Sequence, residues 1–257
     1  MNTLNDKIVW ITGGGSGMGQ SGAIELAKAG AHVVLSGRRM DALNETFEII
    51  KNAGASASIE QLDITDADAV SAVAKRIEQT HGKIDILVNS AGINVGDRFW
   101  GKTSPSDWLK VINTNLNGNV YCVQSALPIM RKQKKGLIIN VASWAGRHLL
   151  YLAGPAYTAS KQALVAVTET INMEEGFNGI RACALCPGEV ATAILDKRPI
   201  PVSAKDKARM VQAEDVGRTI LFVAQSPDHV CYNEIIISPT WNRLYAGGED
   251  LSPKVID

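Results

Sequence analysis

Tyr157 and Lys161 stand four positions apart, in Tyr157-Thr158-Ala159-Ser160-Lys161. On a helix that spacing puts both side chains on one face. A phenol ordinarily ionises near pH ~10 and is a poor base at neutral pH. An ammonium beside it favours the phenolate and lowers that value. Such a pair can take a proton from an alcohol or give one to a carbonyl. Taken alone, the same spacing also describes an ordinary helix face.

A second constellation lies near the start of the chain. Thr12-Gly13-Gly14-Gly15-Ser16-Gly17-Met18-Gly19 follows directly on an apolar run and precedes a helical pattern. Gly13, Gly17 and Gly19 suit a sharp reversal, close approach of a pyrophosphate to the backbone, and tight packing of helix on strand. The helix start offers N–H groups and a positive dipole end to phosphates. No Gly-Lys-Ser/Thr follows, so the P-loop reading fails. The next apolar run ends in Gly37-Arg38-Arg39, where an NAD-binding unit usually carries an acidic residue for the ribose hydroxyls. Two guanidiniums suit a 2′-phosphate, which favours NADP(H) over NAD(H). NAD(H) stays open, since solvated charges opening a helix would read the same way.

These residues need a scaffold. Apolar, β-rich runs recur at 8–11, 32–35, 57–61, 84–88, 137–141, 180–185 and 234–237, with helical patterns between them. Leu43, Phe47 and Ile50 are spaced i, i+4, i+7, and Val70, Val73, Ala74 and Ile77 mark another helical face. Strands that are apolar throughout, rather than alternating, imply a sheet covered on both sides. Regular β–α–β alternation implies parallel strands with right-handed crossovers. The expectation is an α/β fold: one Rossmann-like, doubly wound parallel sheet of about seven strands with helices on both faces. A single domain over 1–257 should carry both dinucleotide binding and catalysis. Long helices are expected near 105–133 and 155–175. Residues 191–213 break the pattern with Pro199, Pro201 and a cluster of Lys197, Arg198, Lys205, Lys207 and Arg209. They read as a mobile substrate loop inside that domain.

The 257 residues carry 26 Lys and Arg against 26 Asp and Glu, a formal net charge of zero. That argues against a nucleic-acid partner, which needs a concentrated cationic face. No uninterrupted apolar run exceeds five residues, which excludes a membrane-spanning helix, and no secretory pattern opens the chain. Four cysteines do not make a disulfide framework, so the chain reads as cytoplasmic. Cys183-Ala184-Leu185-Cys186 has redox or zinc spacing, yet no second cysteine pair or nearby His completes a metal site. Buried structural cysteines on a strand are the better reading, and no metal is expected.

In the order of its motifs the chain resembles the short-chain dehydrogenase/reductase family over about residues 5–240. Tyr157 and Lys161 match the family's Y-x-x-x-K pair. Ser143, in Asn140-Val141-Ala142-Ser143, matches the catalytic serine after the fifth strand, and Asn115, in Asn115-Leu116-Asn117-Gly118, matches the helix asparagine. Asn89-Ser90-Ala91-Gly92 is similar to the N-N-A-G segment, with Ser90 replacing the second Asn. Asp63 matches an aspartate that contacts adenine. Pro187-Gly188-Glu189-Val190-Ala191-Thr192 matches the P-G-x-V-x-T turn beside the nicotinamide. The resemblance implies an oxidoreductase that transfers a hydride between NADP(H) and a secondary alcohol, ketone or aldehyde. It implies Tyr157 as general acid/base and Ser143 as the hydrogen-bond partner of the substrate oxygen. Lys161 would hold the nicotinamide ribose, and Asn115 would anchor a proton-relaying water. The implied cofactor contacts are Gly13, Gly15, Ser16, Gly17, Met18, Gly19, Arg38, Arg39, Asp63, Ile64, Asn89, Ala91, Gly92, Tyr157, Lys161, Pro187, Gly188, Val190 and Thr192. Homotetramers or homodimers built on the two long helices are implied as well.

Two features depart from the family pattern. Ser143 and Tyr157 are fourteen positions apart, one more than is usual, which leaves the shape of the loop at 144–155 open. Trp144, Arg147 and His148 on that loop are candidates for substrate contact, and Arg147 suits a carboxylate or phosphate. An exposed loop charge is the alternative. At the other departure, Asn233-Glu234-Ile235-Ile236-Ile237-Ser238-Pro239-Thr240 stands where many relatives end in Asp-Gly-Gly. Together with Gly37-Arg38-Arg39 this is loosely similar to a branch of NADP-linked 3-hydroxy acid dehydrogenases and carbonyl reductases, which adds a small, anionic substrate to the candidates. An NAD(H)-preferring dehydrogenase of a small hydroxy acid and a non-catalytic dinucleotide sensor are the competing readings.

Overall fold

The computed structural model describes residues 3–198 and 202–247. In chain order they form β1 (Ile8–Thr12), α1 (Gly17–Lys28), β2 (His32–Gly37), α2 (Met40–Asn52), β3 (Ser56–Gln61), α3 (Ala67–His81), β4 (Ile86–Asn89) and α4 (Pro105–Ile112). Then follow α5 (Gly118–Gln133), β5 (Gly136–Val141), α6 (Pro155–Glu175), β6 (Ile180–Pro187), α7 (Ala204–Lys207), α8 (Ala213–Ala224), β7 (Glu234–Ile237) and α9 (Arg243–Ala246). The strands make one seven-stranded sheet in the order β3-β2-β1-β4-β5-β6-β7. All neighbours run parallel, and Thr12, Ser36, Asn89 and Asn140 lie level across the sheet. The order changes direction between β1 and β4, and a crevice opens there at the carboxyl ends of the strands.

Burial on both faces explains the continuous apolar runs. Along β1, Val9 and Ile11 pack into one layer with Leu26, Ile220 and Val223. Ile8 and Trp10 pack into the opposite layer with Val70, Val73 and Ile129. Each side chain so buried contributes on the order of 1.5–3 kcal/mol. The covering helices start and stop on local signals. Asp66 caps α3 by accepting Ala69 N–H at 3.0 Å, and Gly82, at φ 77, ends it. Ser104 caps α4 by accepting Asp107 N–H at 3.0 Å, with Pro105 in the first turn.

Three expectations change in detail. The strand expected over 84–88 begins at Ile86, because the Asp85 carboxylate turns aside to accept Ile8 N–H at 2.9 Å and Lys7 Nζ at 2.9 Å. The long helix expected over 105–133 is split by a π-helical turn, Asn113–Asn117. The irregular stretch 191–213 holds a 3₁₀ turn, Ala193–Lys197, and the short helix α7. Its two ends are joined by a parallel bridge between Val190 and Val211, with Ala191 N–H on Val211 O at 2.9 Å. Pro199, Pro201 and the side chain of Lys197 lie outside the described residues. Among the described residues, no helix is long and apolar enough to cross a membrane. Cys183 and Cys186 are buried in β6, where burial pushes their thiols up to about 12 and about 11, as befits unreactive core cysteines.

Candidate active site

The glycine turn is shaped by contacts that only a missing side chain allows. Gly13 has φ +69, and a Cβ there would lie 2.9 Å from Ala91 N. A Cβ on Gly19 would lie 2.2 Å from Gly13 O. These two absences let the first turn of α1 abut the carboxyl ends of β1 and β4. The cleft so formed is lined by Gly13, Gly15, Ser16, Arg38, Arg39, Asp63, Ile64, Ala91 and Gly92. Ser16 is extended and its hydroxyl makes no capping bond to the helix. A glycine cradle at a helix amino end fits a dinucleotide pyrophosphate. Arg38 is mostly exposed, with a long ion contact of 4.0 Å to Asp63, while its carbonyl accepts Gln61 Nε2 at 2.9 Å. Asp63 is steadied by Thr65, whose N–H and hydroxyl both donate to Oδ1 at 3.0 and 2.9 Å.

The catalytic candidates are drawn from the end of β5, the first two turns of α6 and the π-helical turn. Ser143 follows β5, and its Oγ accepts Ala145 N–H at 3.2 Å while hydrogen-bonding Tyr157. Tyr157 sits in the first turn of α6, half-buried. One turn on, Lys161 is buried, its Nζ donating to Val141 O at 2.8 Å and lying 5.8 Å from the centre of the Tyr157 ring. Asn115 sits inside the π-helical turn. Its amide donates to Ile93 O at 2.9 Å and Ser160 Oγ at 3.2 Å, and accepts Ile93 N–H at 2.8 Å. It thereby ties the strand-end loop to α6. A methyl group on Gly92 would lie 3.5 Å from Lys161 Nζ and 3.6 Å from Asn115 Oδ1, so both side chains stand beside the cleft that Gly92 lines.

The electrostatics differ from the sequence expectation. Burial pushes the Tyr157 phenol up, and this outweighs the lowering by the Ser143 hydrogen bond and by the positive charges of Arg98 and Arg198. Burial also brings the Lys161 ammonium down to about 8. Lys161 was expected to favour the phenolate. Its Nζ is instead spent on a backbone carbonyl, and the cations that act on the phenol are two arginines from other loops. Tyr157 thus holds its proton at neutral pH, the state of a donor.

Ser143 and Tyr157 open into a second cleft, lined also by Met18, Trp144, Pro187, Gly188, Val190 and Thr192. Arg147 and His148 do not line it. Arg147 turns outward to Glu169 at 2.6 Å and Glu234 at 2.5 Å, and exposed His148 stacks on Trp144 with ring centres 4.5 Å apart. Asn89 is fully buried and clamps the sheet, donating to Asn140 Oδ1 at 2.9 Å and Asn119 O at 3.3 Å. The cleft is lined instead by Arg98 and Glu189, which the sequence reading passed over, and by Arg198. Arg98 belongs to no motif; Glu189 fills the variable position of the P-G-x-V-x-T turn, the one signal that could have found it. Among the described residues, no group of three His, Cys, Asp or Glu could hold a metal ion.

With this geometry in place, comparison with known proteins defines the class. The short chain dehydrogenase family profile matches residues 7–200, and the chain belongs to that family. An uncharacterized oxidoreductase of Staphylococcus saprophyticus is 35% identical over 254 residues, covering 95% of this chain and all of that protein. One from Staphylococcus aureus is 32% identical over 239 residues, covering 93% of this chain and all of that protein. Among solved structures, levodione reductase superposes with a TM-score of 0.85 at 25% identity, over 95% of this chain and 99% of that one. A metagenomic short-chain oxidoreductase in complex with NADP gives 0.81 at 26% identity, over 94% of this chain and all of that one. The protein is an NAD(P)-dependent oxidoreductase acting on CH–OH groups.

Proposed function

We propose that the protein interconverts a carbonyl compound and its alcohol with NADP(H), using Tyr157 as the general acid/base. The observation that carries this is the hydrogen bond between Ser143 and Tyr157, both lining the second cleft, with Lys161 buried one turn further along α6. The bound nicotinamide supplies or accepts the hydride. The protein's own residues handle the oxygen and the proton. Ser143 Oγ–H donates to the substrate oxygen and stabilises the charge that develops on it. In reduction Tyr157 Oη gives its proton to that oxygen, and in oxidation it takes one back. Lys161 holds the ribose beside Tyr157, and Asn115, in its π-helical turn, anchors a water that carries protons from Lys161 outward. Gly13, Gly15 and Ser16 seat the pyrophosphate, Arg38 and Arg39 the 2′-phosphate, and Asp63 and Ile64 the adenine. The NADP-bound structural relative supports that choice of phosphate. Attachment of every one of these residues to a single sheet supports one domain.

Tyr157→Phe tests the reading. It should lower kcat/KM by about a thousandfold while leaving NADPH affinity, followed by fluorescence titration, nearly unchanged. Retained turnover would sink the assignment of the acid/base. A dinucleotide sensor would instead show no dehydrogenase or reductase activity across a broad panel of alcohols and carbonyls.

A further inference from the structure

The turn that ends β6 carries a buried charge that neither proton transfer nor dinucleotide binding requires. Glu189 is 5% exposed and lines the second cleft with Ser143 and Tyr157. Its two carboxylate oxygens face different parts of the chain. Oε1 accepts Arg198 Nη1 at 2.7 Å, and Oε2 lies 3.3 Å from Arg243 Nε. Arg243 is equally buried, and its Nη1 reaches Asp206 Oδ2, on α7, at 3.5 Å. Arg198 directly follows the 3₁₀ turn Ala193–Lys197, and its N–H donates to Leu195 O at 3.0 Å. Arg243 opens α9, and Leu244 is the next residue. Leu195 and Leu244 both line the cleft. One carboxylate thus joins, through two guanidiniums, two separate segments that each supply an apolar piece of the cleft wall.

We propose that Glu189 is a positioning residue that sets how large a substrate the cleft admits, by holding Leu195 and Leu244 in place through Arg198 and Arg243. This rests on Ser143 and Tyr157 marking the reacting centre. Glu189 is the fixed point of the arrangement. It stands two residues beyond the end of β6, and its carbonyl accepts Val211 N–H at 3.1 Å, which fastens the turn on both sides. Leu195 and Leu244 depend on it. Ion pairs shielded from water are strong only while both partners are present, and removing one leaves the other charge buried. Two guanidiniums gathered on one carboxylate repel each other once that carboxylate loses its charge. The segments they belong to would then part. A second contact joins the same regions of the chain: Arg209, just after α7, lies over the ring of Trp241, just before α9, at 4.9 Å. The start of α9 is itself ordered, with Asn242 Oδ1 accepting Leu244 N–H at 3.0 Å and Tyr245 edge-on to Trp144, ring centres 5.8 Å apart. α9 therefore presents Leu244 as part of a braced wall, and Glu189 is the brace that lies within the cleft.

The test reads a size series of ketones, 2-butanone through 2-octanone, with NADPH. Glu189→Gln keeps the shape of the side chain and removes its charge. It should raise KM for 2-butanone by about tenfold and leave kcat within about threefold. The ratio of kcat/KM for 2-octanone to that for 2-butanone should rise by at least about fivefold. Leu244→Ala, which cuts back the wall directly, should move that ratio the same way. Adding Arg243→Gln to Glu189→Gln should change the ratio by no more than about a further twofold, because both act through one contact. A merely destabilised protein would lose kcat on every ketone alike and keep the ratio. An unchanged ratio, or a loss confined to NADPH affinity, overturns the proposal while the Tyr157→Phe result still stands. Should no ketone turn over, hydrogen exchange of the NADP-bound protein decides. Glu189→Gln should speed exchange at Leu195, Arg198, Tyr245 and Gly247 by about tenfold and leave the amides of β5 as they are. Exchange unaltered at those positions, or raised equally in β5, overturns it.

Discussion

Lys161 is a cation held away from water, and that placement has a thermodynamic signature. Burial brings it from 10.5 to about 8, equivalent to about 3 kcal/mol. At pH 7 it is protonated in both folded and unfolded states, so the folded state bears the full cost of the buried charge. As pH rises through about 8 the folded state releases its proton first, and stability climbs until about 10.5. Lys161→Met should therefore resist urea better than wild type at pH 7, by less than that figure because the bond to Val141 O is lost. The margin should narrow between pH 8 and 10.5, and turnover should be abolished. Arg38 allows a sharper test of cofactor choice. Arg38→Asp should weaken NADPH binding by ten- to a hundredfold and NADH binding little, as read by titration; equal losses would refute contact with a 2′-phosphate. At this scale the chemistry was readable where a reaction demands a residue type at a fixed spacing, as with Tyr157 and Lys161. Arg98 was not readable, because its burial is made by the Leu152 carbonyl and Gly154, more than fifty positions away. Arg147 carries the same chemistry as Arg98, yet Glu169 and Glu234 draw it to the surface.

Among the elements, α1 depends most on a single position. A Cβ at Gly19 would sit 2.2 Å from Gly13 O, so Gly19→Ala must push α1 off the turn that it closes. The expected cost is about 1–3 kcal/mol in urea unfolding, with loss of dinucleotide affinity well beyond that of an exposed helix substitution such as Glu25→Ala. The strands were readable because two-sided burial leaves unbroken apolar runs, as in β1 and β5. The π-helical turn at Asn113–Asn117 was not, since apolar periodicity says nothing about a polar stretch whose shape is set by hydrogen bonds to Ile93 and Ser160.

For the molecule as a whole, zero net charge conceals separated fields. Arg38 and Arg39 border one cleft with Asp63, Arg98 and Arg198 the other with Glu189, while further carboxylates are spread over ion pairs elsewhere. The parallel sheet covered on both faces followed from β–α alternation and the right-handed crossover rule; the strand order that opens the crevice between β1 and β4 was not encoded there. Alternation encodes nothing about contacts between copies of a chain. Leu109 on α4 is 56% exposed and Met173 on α6 76% exposed, apolar surface that a second copy would cover. Sedimentation equilibrium should find a dimer or tetramer, and Leu109→Glu with Met173→Glu should shift it towards monomer; an unaltered assembly would place the contact elsewhere.

The bridge between Val190 and Val211 closes the base of the loop bearing Arg198 just beyond the strand that ends in Pro187. Closing such a loop depends only weakly on its length, about 0.6 kcal/mol per doubling. A change in the length of that loop should therefore cost the strand ending in Pro187 little. Substitutions in that loop should therefore change which substrates are turned over more than they change dinucleotide affinity.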